Sequence, residues 1–153
     1  MIKIKKLTED AIIPHKSREG DACYDLYTSK DYLVHACRTV VIPTGIAIEL
    51  PVEYEAEIRP RSGISLKGVL AYDTFMGRMD DFKCTIIQGT IDSNYRGEIN
   101  IIVDYETPYK VLIPRFTKLA QMKINYVPDV KLVEVDELSN SNRGINGFGS
   151  SGV

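Results

Sequence analysis

Three segments in the first part of the chain alternate apolar with other side chains. The alternating apolar positions are Ile2 and Ile4, then Ile46, Ile48 and Leu50, then Tyr54, Ala56 and Ile58. Because successive side chains of a strand point to opposite faces, this period of two places each apolar set on one face of a sheet. The pattern predicts β-strands at these three places.

Further along the chain, runs rich in β-branched and aromatic residues are separated by turn-forming residues. The runs are 84–91, 98–105, 109–113, 119–127 and 130–135, and the turn formers are Asn94, Gly97, Pro108, Pro114 and Pro128. No segment keeps a helical apolar period beyond a turn or two, and 62–67 is the best helix candidate. We expect an all-β sandwich or barrel with at most one short helix.

Composition narrows the class of protein. The 153 residues suit one domain, and 19 basic against 21 acidic residues give a net charge of −2, which disfavours binding to a nucleic-acid backbone. The sequence contains no recognisable signal peptide or membrane span, so we expect a cytoplasmic protein, in the host cytoplasm if the source is a virus. Three cysteines without paired spacing predict free thiols.

The expected organisation is a β domain over 1–138 and a flexible tail, rich in glycine and serine, over 139–153.

The segment RPRSGIS, residues 59–65, follows a predicted strand. It offers a guanidinium, a hydroxyl and a glycine N–H in the consecutive residues Arg61, Ser62 and Gly63. Such a cluster can bind phosphate oxygens. A solvated turn with an incidental arginine is the simpler interpretation of so short a motif.

The segment GTIDSNYRGEI, residues 89–99, predicts a β-hairpin that carries Asp92 and Tyr95. A carboxylate held at the end of a strand can orient and deprotonate a water molecule. The alternative is an aspartate that only accepts hydrogen bonds from its own turn.

The C-terminal segment RGINGFGSSGV, residues 143–153, combines Arg143 and Phe148 with glycines and serines whose backbone N–H groups can approach an anion. This composition favours a lid that closes over phosphates. A plain disordered terminus is the alternative.

Taken in order, five segments resemble the motifs of the trimeric dUTPase family: ACYDLYTS at 22–29, RPRSGIS at 59–65, GTIDSNYRGEI at 89–99, KLAQM at 118–122 and RGINGFGSSG at 143–152. The resemblance implies a jelly-roll-like β domain in a homotrimer whose sites each draw on three subunits. It also implies Mg²⁺-dependent hydrolysis of dUTP to dUMP and pyrophosphate, which limits uracil incorporation into DNA and supplies dUMP for dTMP synthesis.

The same resemblance implies roles for individual residues. Asp92 is the catalytic residue that polarises the attacking water, Tyr95 packs against the deoxyribose, and Asp25 supports Mg²⁺ through metal-bound water. The other residues implied to bind dUTP are Arg61, Ser62, Gly63 and Gln121 at the phosphates, Gly89, Thr90, Ile91 and Asn100 in the hairpin that reads uracil, and Arg143, Phe148, Gly149, Ser150 and Ser151 in the lid.

The chain departs from the family pattern at three places. Cys23 stands where glycine is usual, and Phe116, Thr117 and Lys118 stand where Gly-Asp-Arg is usual. A turn that needs glycine and a contact that needs arginine must therefore be made differently. An insertion at about residues 72–84 contains Phe75, Met76, Met79 and Phe82. It either lengthens a hairpin or covers the trimer surface, or it binds a regulatory protein.

Two other functions compete with dUTP hydrolysis. A dCTP deaminase of the same fold would carry a glutamate on the strand after the third motif, where this chain has Ile102. Because an apolar residue cannot transfer protons, the sequence favours hydrolysis. The other alternative is a dUTP-sensing regulatory binder that acts through the insertion.

Overall fold

The computed structural model describes residues 1–146 and contains thirteen short strands with one helical segment. The elements are β1 (Lys3–Lys6), β2 (Cys23–Tyr27), β3 (Tyr32–Val34), β4 (Arg38–Pro43), β5 (Ile46–Glu49), β6 (Tyr54–Arg59), α1 (Ser62–Lys67), β7 (Val69–Asp73), β8 (Arg78–Phe82), β9 (Cys84–Ile87), β10 (Gly89–Ile91), β11 (Asn100–Tyr105), β12 (Val111–Ile113) and β13 (Lys118–Tyr126). The predicted all-β class with one short helix is confirmed.

Four antiparallel sheets enclose one apolar core. Their strand orders are β1-β5, β10-β6-β13-β2, β4-β11-β9 and β3-β12-β7-β8. Strand β11 shows how the core is built, because Ile101, Val103 and Tyr105 point inward and are buried while Ile102 between them is exposed. This alternation is the period-two pattern of a sheet with one wet face.

The sequence-based strand predictions are confirmed in most places and wrong in one. The alternating segments and the β-rich runs from 84 to 127 coincide with β1, β5, β6 and β9 to β13 within a few residues. The run 130–135 is not a strand, because its apolar residues find no partner strand among residues 1–146. Val130, Leu132, Val133 and Val135 are instead exposed by 56% or more.

Strand β6 fixes where the site residues lie. At its C-terminal end Arg59 pairs with Gln121 of β13, and Gln121 in turn pairs with Asp25 of β2. Nearer its N-terminal end Ala56 pairs with Ile91 of β10, directly before Asp92. One sheet therefore carries two groups of site residues at opposite ends of β6.

The segment predicted to be an insertion, about 72–84, lies in a hairpin of β7 and β8 at the edge of a four-stranded sheet. The Asp73 carboxylate accepts hydrogen bonds from the N–H groups of Phe75 and Met76 at 2.8 and 3.0 Å, and Gly77 closes the turn with a φ of 68°. The insertion is thus an ordered hairpin.

Two departures from the family pattern have clear backbone consequences. Cys23 is the first residue of β2 and pairs with Lys123, so no glycine is needed there. Phe116 does take a left-handed conformation, with a φ of 64°. The turn before β13 thus has the left-handed backbone conformation that suits glycine, although phenylalanine occupies the position.

The three cysteines are free, as predicted, and Cys37 is exposed. Residues 1–146 contain no helix that is long and apolar enough to cross a membrane.

Candidate active site

A polar cavity of about 630 Å³ opens beside the ends of β2, β6 and β13. Its lining unites residues from three of the predicted motifs with the loop before β2: Ser17, Arg18, Asp21, Ala22, Cys23, Asp25, Arg61, Ser62, Gly63 and Gln121. All five predicted phosphate and metal residues of motifs one, two and four are therefore in one place. We call this the polar cavity.

Asp25 is a buried carboxylate with three partners at the base of the polar cavity. Its Oδ2 accepts a hydrogen bond from Ser17 Oγ at 2.7 Å and lies 2.9 Å from Lys118 Nζ, and its Oδ1 lies 3.2 Å from Arg61 Nε. Lys118 Nζ also donates to Ser17 Oγ at 3.1 Å. Lys118 therefore places a positive charge beside Asp25 from the position where the family pattern has arginine.

These contacts keep Asp25 ionised. Burial would raise the pKa of Asp25, but the Ser17 hydrogen bond, the hydrogen bond and charge of Lys118 and the charge of Arg61 outweigh it and lower that pKa. A carboxylate has about four lone-pair directions, and these three partners leave one on Oδ1. Asp25 can therefore accept one more hydrogen bond from the cavity side.

The residues present suit Mg²⁺ rather than a metal held by the protein alone. Residues 1–146 contain no cluster of three or more histidine, cysteine or acidic side chains able to hold an ion. Mg²⁺ in phosphate-transfer sites is held by one or two carboxylates, water and substrate phosphates. The polar cavity, whose lining includes the carboxylates Asp21 and Asp25, fits that arrangement.

Arg61 is fixed in place before any ligand binds. Its Nε faces Asp25, and an η-nitrogen donates to the carbonyl oxygen of Lys118 at 3.0 Å. Gln121 Nε2 donates to the Pro60 carbonyl at 2.9 Å. No atom of the described chain lies within 4 Å of a Cβ built on Gly63, so packing within the chain does not require glycine there. An arginine held by two acceptors loses less conformational entropy when it binds a phosphate.

The catalytic candidate Asp92 lies elsewhere, in the loop that follows β10. It lines a cavity of about 280 Å³ with residues from β4, β10, β11 and the loop between β10 and β11, namely Val41, Thr90, Ile91, Tyr95, Glu98, Asn100 and Ile102. It also borders Tyr54, Glu55 and Val127 on its other side. We call the first of these the hairpin cavity. It unites the residues predicted to read the sugar and the base except Gly89, which is not among its lining residues.

Tyr95 is the aromatic residue of the hairpin cavity, and its ring lies on the backbone of Gly97. A Cβ at Gly97 would overlap the Tyr95 hydroxyl and would lie 2.5 Å from Cζ. The Tyr95 hydroxyl donates to the carbonyl oxygen of Glu98 at 3.0 Å. The ring is therefore seated against the hairpin with 42% of the residue exposed.

The two cavities are far apart within one chain. Glu55 borders Asp92, whereas Arg61 is six residues further along the nearly extended chain of β6. At about 3.3 Å per residue the two groups are separated by roughly 20 Å. A general base must lie within about 3 Å of the water it activates. Asp92 and Arg61 of the same chain therefore cannot act on the same phosphate group.

Some site residues escaped sequence analysis, and others lie outside the described residues. Ser17 and Arg18 line the polar cavity but belong to none of the five motifs, and only their position shortly before Asp25 could have pointed to them. Arg143 donates through Nε to Asn146 O at 2.8 Å and lines neither of the two cavities described above. The predicted lid residues Phe148, Gly149, Ser150 and Ser151 lie outside residues 1–146.

Comparisons with known proteins agree on one family. The profile of the dUTPase family matches residues 9–152. The chain is 41% identical over 152 residues to a deoxyuridine 5'-triphosphate nucleotidohydrolase of Clostridioides difficile, with 99% of this chain and 97% of the relative covered. It is 42% identical over 154 residues to the protein of that name from Trichodesmium erythraeum, with 99% of both covered.

Solved structures share the fold. A mutant dUTPase of Staphylococcus bacteriophage 80alpha with dUpNHpp superimposes with a TM-score of 0.84 at 24% identity, covering 100% of this chain and 99% of that one. A mutant dUTPase from phage phi11 of S. aureus, described as showing the coordination of a structural Mg(II) ion, gives a TM-score of 0.76 at 21% identity and covers 92% of this chain and 99% of that one.

Proposed function

The chain belongs to the dUTPase family and hydrolyses dUTP to dUMP and pyrophosphate, and we propose that Asp92 of one subunit acts on a triphosphate held in the polar cavity of a neighbouring subunit. The observation that carries this proposal is the separation of roughly 20 Å between the two groups along β6. Both groups have to act on one bound triphosphate, and in one chain they lie at opposite ends of β6, so the proposed site forms between chains.

In this arrangement each group of residues has a separate task. Asp92 accepts the proton of the attacking water, and Tyr95 packs against the sugar. Gly89, Thr90, Ile91 and Asn100 face the uracil. Arg61, Ser62, Gly63 and Gln121 hold the phosphates. The task of closing the site belongs to the tail 139–153, separate from the β domain 1–138, through Arg143 and the residues from Phe148 to Ser151.

Asp25 would hold Mg²⁺ through metal-bound water, since it is ionised and keeps one lone pair open. When bound, the ion neutralises the charge that develops on the departing pyrophosphate. Arg61 stabilises the same charge from a fixed position, and Lys118 keeps Asp25 unprotonated. Deamination is disfavoured because the hairpin cavity presents Ile102, which cannot transfer a proton.

Exposed apolar surface supports assembly into a homotrimer. Residues 130–138 expose Val130, Leu132, Val133, Val135 and Leu138 by 56 to 96%. An apolar cavity of about 480 Å³ lies at the N-terminal strand, lined by Met1, Ile2, Ile4, Pro14, Tyr24, Pro51, Tyr54, Met122 and Ile124. Exposed apolar surface of this extent is typical of a face that another chain covers.

Complementation between two inactive variants tests whether the site is shared. Asp92→Asn removes the general base, and Arg61→Ala removes the phosphate contact, so each protein alone should lose almost all release of pyrophosphate from dUTP. After the two are unfolded and refolded together in equal amounts, random assembly leaves roughly one site in four with both residues intact. We expect about a quarter of the wild-type activity.

The control refolds each variant alone and mixes the two without unfolding, which should restore nothing if subunits exchange slowly. A mixture that stays inactive although mixed trimers are present would contradict the shared site. Activity in a monomeric fraction from size exclusion would contradict it as well.

A second candidate function, binding of a regulatory protein, is favoured by the outer face of the insertion hairpin. Leu33, Leu112, Tyr72 and Met79 form one row of cross-strand neighbours across all four strands of that sheet. Three of the four are exposed, and Phe75 and Met76 add exposures of 78 and 63% at the hairpin tip. Pull-down with the double variant Phe75→Ser, Met76→Ser tests the proposal, and equal partner recovery with wild type would exclude it.

A further inference from the structure

Glu98 connects the two residues that face the sugar and the base. Its backbone carbonyl oxygen accepts the Tyr95 hydroxyl at 3.0 Å and the Asn100 side-chain amide at 3.1 Å. Both selective side chains of the hairpin cavity therefore depend on the position of a single carbonyl. The position of that carbonyl therefore sets how deep the Tyr95 ring and the Asn100 amide lie in the hairpin cavity.

The side chain of Glu98 fixes that carbonyl to the rest of the fold. Glu98 Oε1 accepts the backbone N–H of Gly45 at 2.7 Å, a length typical of a charge-assisted hydrogen bond. Gly45 is itself bonded to the N-terminal segment, because its carbonyl oxygen accepts the Leu7 N–H at 2.7 Å, and a Cβ added to it would lie 2.7 Å from Thr8 Oγ1. Ile99, the residue after Glu98, is attached to the same segment as Gly45, since its N–H donates to the carbonyl oxygen of Ile46 at 2.8 Å.

We propose that Glu98 is a positioning residue that sets sugar selectivity through Tyr95 and base selectivity through Asn100. The proposal rests on the proposed function, in which Tyr95 excludes a 2′-hydroxyl and Asn100 faces the uracil. Glu98 lines the hairpin cavity, but its carboxylate is bonded to the Gly45 N–H, and we assign it no direct contact with the sugar or the base. It acts by holding the turn between Tyr95 and Asn100 against Gly45.

Gly97 strengthens the case that the depth of the ring matters. A side chain at Gly97 would overlap the Tyr95 ring, so the chain passes beneath the ring with no space to spare. A ring seated this closely changes position when the carbonyl that holds its hydroxyl shifts. Loss of the Glu98 anchor should therefore reach Tyr95 and Asn100 together.

The test compares kcat and KM for dUTP, UTP and dCTP in wild type, Glu98→Gln and Glu98→Ala. Glutamine keeps an oxygen that can accept the Gly45 N–H, so both preferences should stay within about twofold of wild type. Alanine removes the acceptor, and we expect the preference for dUTP over UTP and over dCTP to fall by roughly 3- to 10-fold each. The loss should come mainly from a higher KM for dUTP.

Glu49→Ala is the matched control, because Glu49 is also a hydrogen-bonded glutamate but pairs with Lys3 at the surface at 2.8 Å. It should keep both preferences. If Glu98→Ala folds and keeps both preferences, the proposal is overturned. If wild type shows no preference for dUTP, the proposed function fails instead, so the two failures are distinguishable.

Tyr95→Phe provides a second route if Glu98→Ala does not fold. It removes the hydroxyl bond to the Glu98 carbonyl and leaves the Asn100 bond in place. The preference for dUTP over UTP should then fall while the preference over dCTP is kept. An unchanged preference over UTP would overturn the proposed link between Glu98 and the sugar.

Discussion

Replacing Lys118 by methionine tests the ionic network beneath the polar cavity. The substitution keeps most of the apolar stem and removes the ammonium group that lies 2.9 Å from Asp25 Oδ2. A hydrogen bond between charged groups contributes about 1.5–3 kcal/mol. Lys118 is 37% exposed and Asp25 keeps Ser17 and Arg61, so solvent screening and the remaining partners reduce the effect. We expect Lys118→Met to lower the free energy of unfolding by about 1–2 kcal/mol at neutral pH.

The effect should depend on pH in a defined direction. The pKa of Asp25 is lowered in the folded protein, so its stabilisation is present above the pKa of unfolded aspartate, about 3.9, and is lost as the pH falls through the folded value. The pKa of Lys118 is raised, chiefly by its hydrogen bond with Asp25. Its stabilisation is therefore present below the pKa of unfolded lysine, about 10.4, and is lost as the pH rises through the folded value.

Urea unfolding at fixed protein concentration, from about pH 7 down to about pH 3, measures this dependence. Wild type and Lys118→Met should differ most at neutral pH and converge in acid, while Lys118→Arg, which keeps the charge, should stay close to wild type. The Lys118 ammonium also lies 5.8 Å from the centre of the Tyr27 ring. A deficit of the same size at every pH would mean that Lys118 acts through packing on that ring, and the electrostatic reasoning would be refuted.

Two further substitutions and one thiol-labelling reaction test local features of the fold. Phe116→Gly should raise the free energy of unfolding in urea by up to about 1 kcal/mol, because it relieves a left-handed φ of 64°, and a loss of stability would contradict this. Gly68→Ala should lower it by more than about 3 kcal/mol, since φ is 101° and a Cβ would overlap the Phe82 carbonyl, and a neutral result would show that the turn can shift. Burial raises the pKa of the Cys84 thiol to about 11, so a thiol reagent at mildly alkaline pH should label exposed Cys37 first and Cys84 only on unfolding. Labelling of both at one rate would argue against the burial of Cys84.

Local sequence patterns predicted the strands that bury one face. They failed where the pairing strand, or the partners of a buried charge, lie far away in the sequence. Strand β11 was predictable because its inward residues alternate with exposed ones. Strand β2 was missed because it carries a buried charge, Asp25, whose partners Arg61 and Lys118 lie far away in sequence. The run 130–135 was assigned as a strand because its apolar residues fit one, but no strand among residues 1–146 pairs with it. The apolar pattern alone therefore did not show whether the segment pairs with another strand of its own chain.

The candidate site was predictable in its residues and not in its geometry. The motif residues Asp25, Arg61 and Gln121 do meet in one cavity, as the resemblance implied. Sequence analysis missed Ser17, which is held to Asp25 by a single hydrogen bond across the loop before β2. It also missed the contact of Tyr95 with Gly97, because residues two apart in a loop meet only if the chain turns back.

The proposed division of the site between chains rests on the length of a single strand. Strand β6 carries the phosphate-binding loop at its C-terminal end and supports the Asp92 hairpin near its N-terminal end, so its own extension keeps the two groups apart. No side-chain movement closes a gap of roughly 20 Å, since even a lysine or arginine spans only a few bond lengths. Residues 130–138 follow β13 and expose an apolar surface that residues 1–146 do not cover. If the proposed shared site is correct, a chain that does not associate is inactive, and assembly and activity are expected to be lost together.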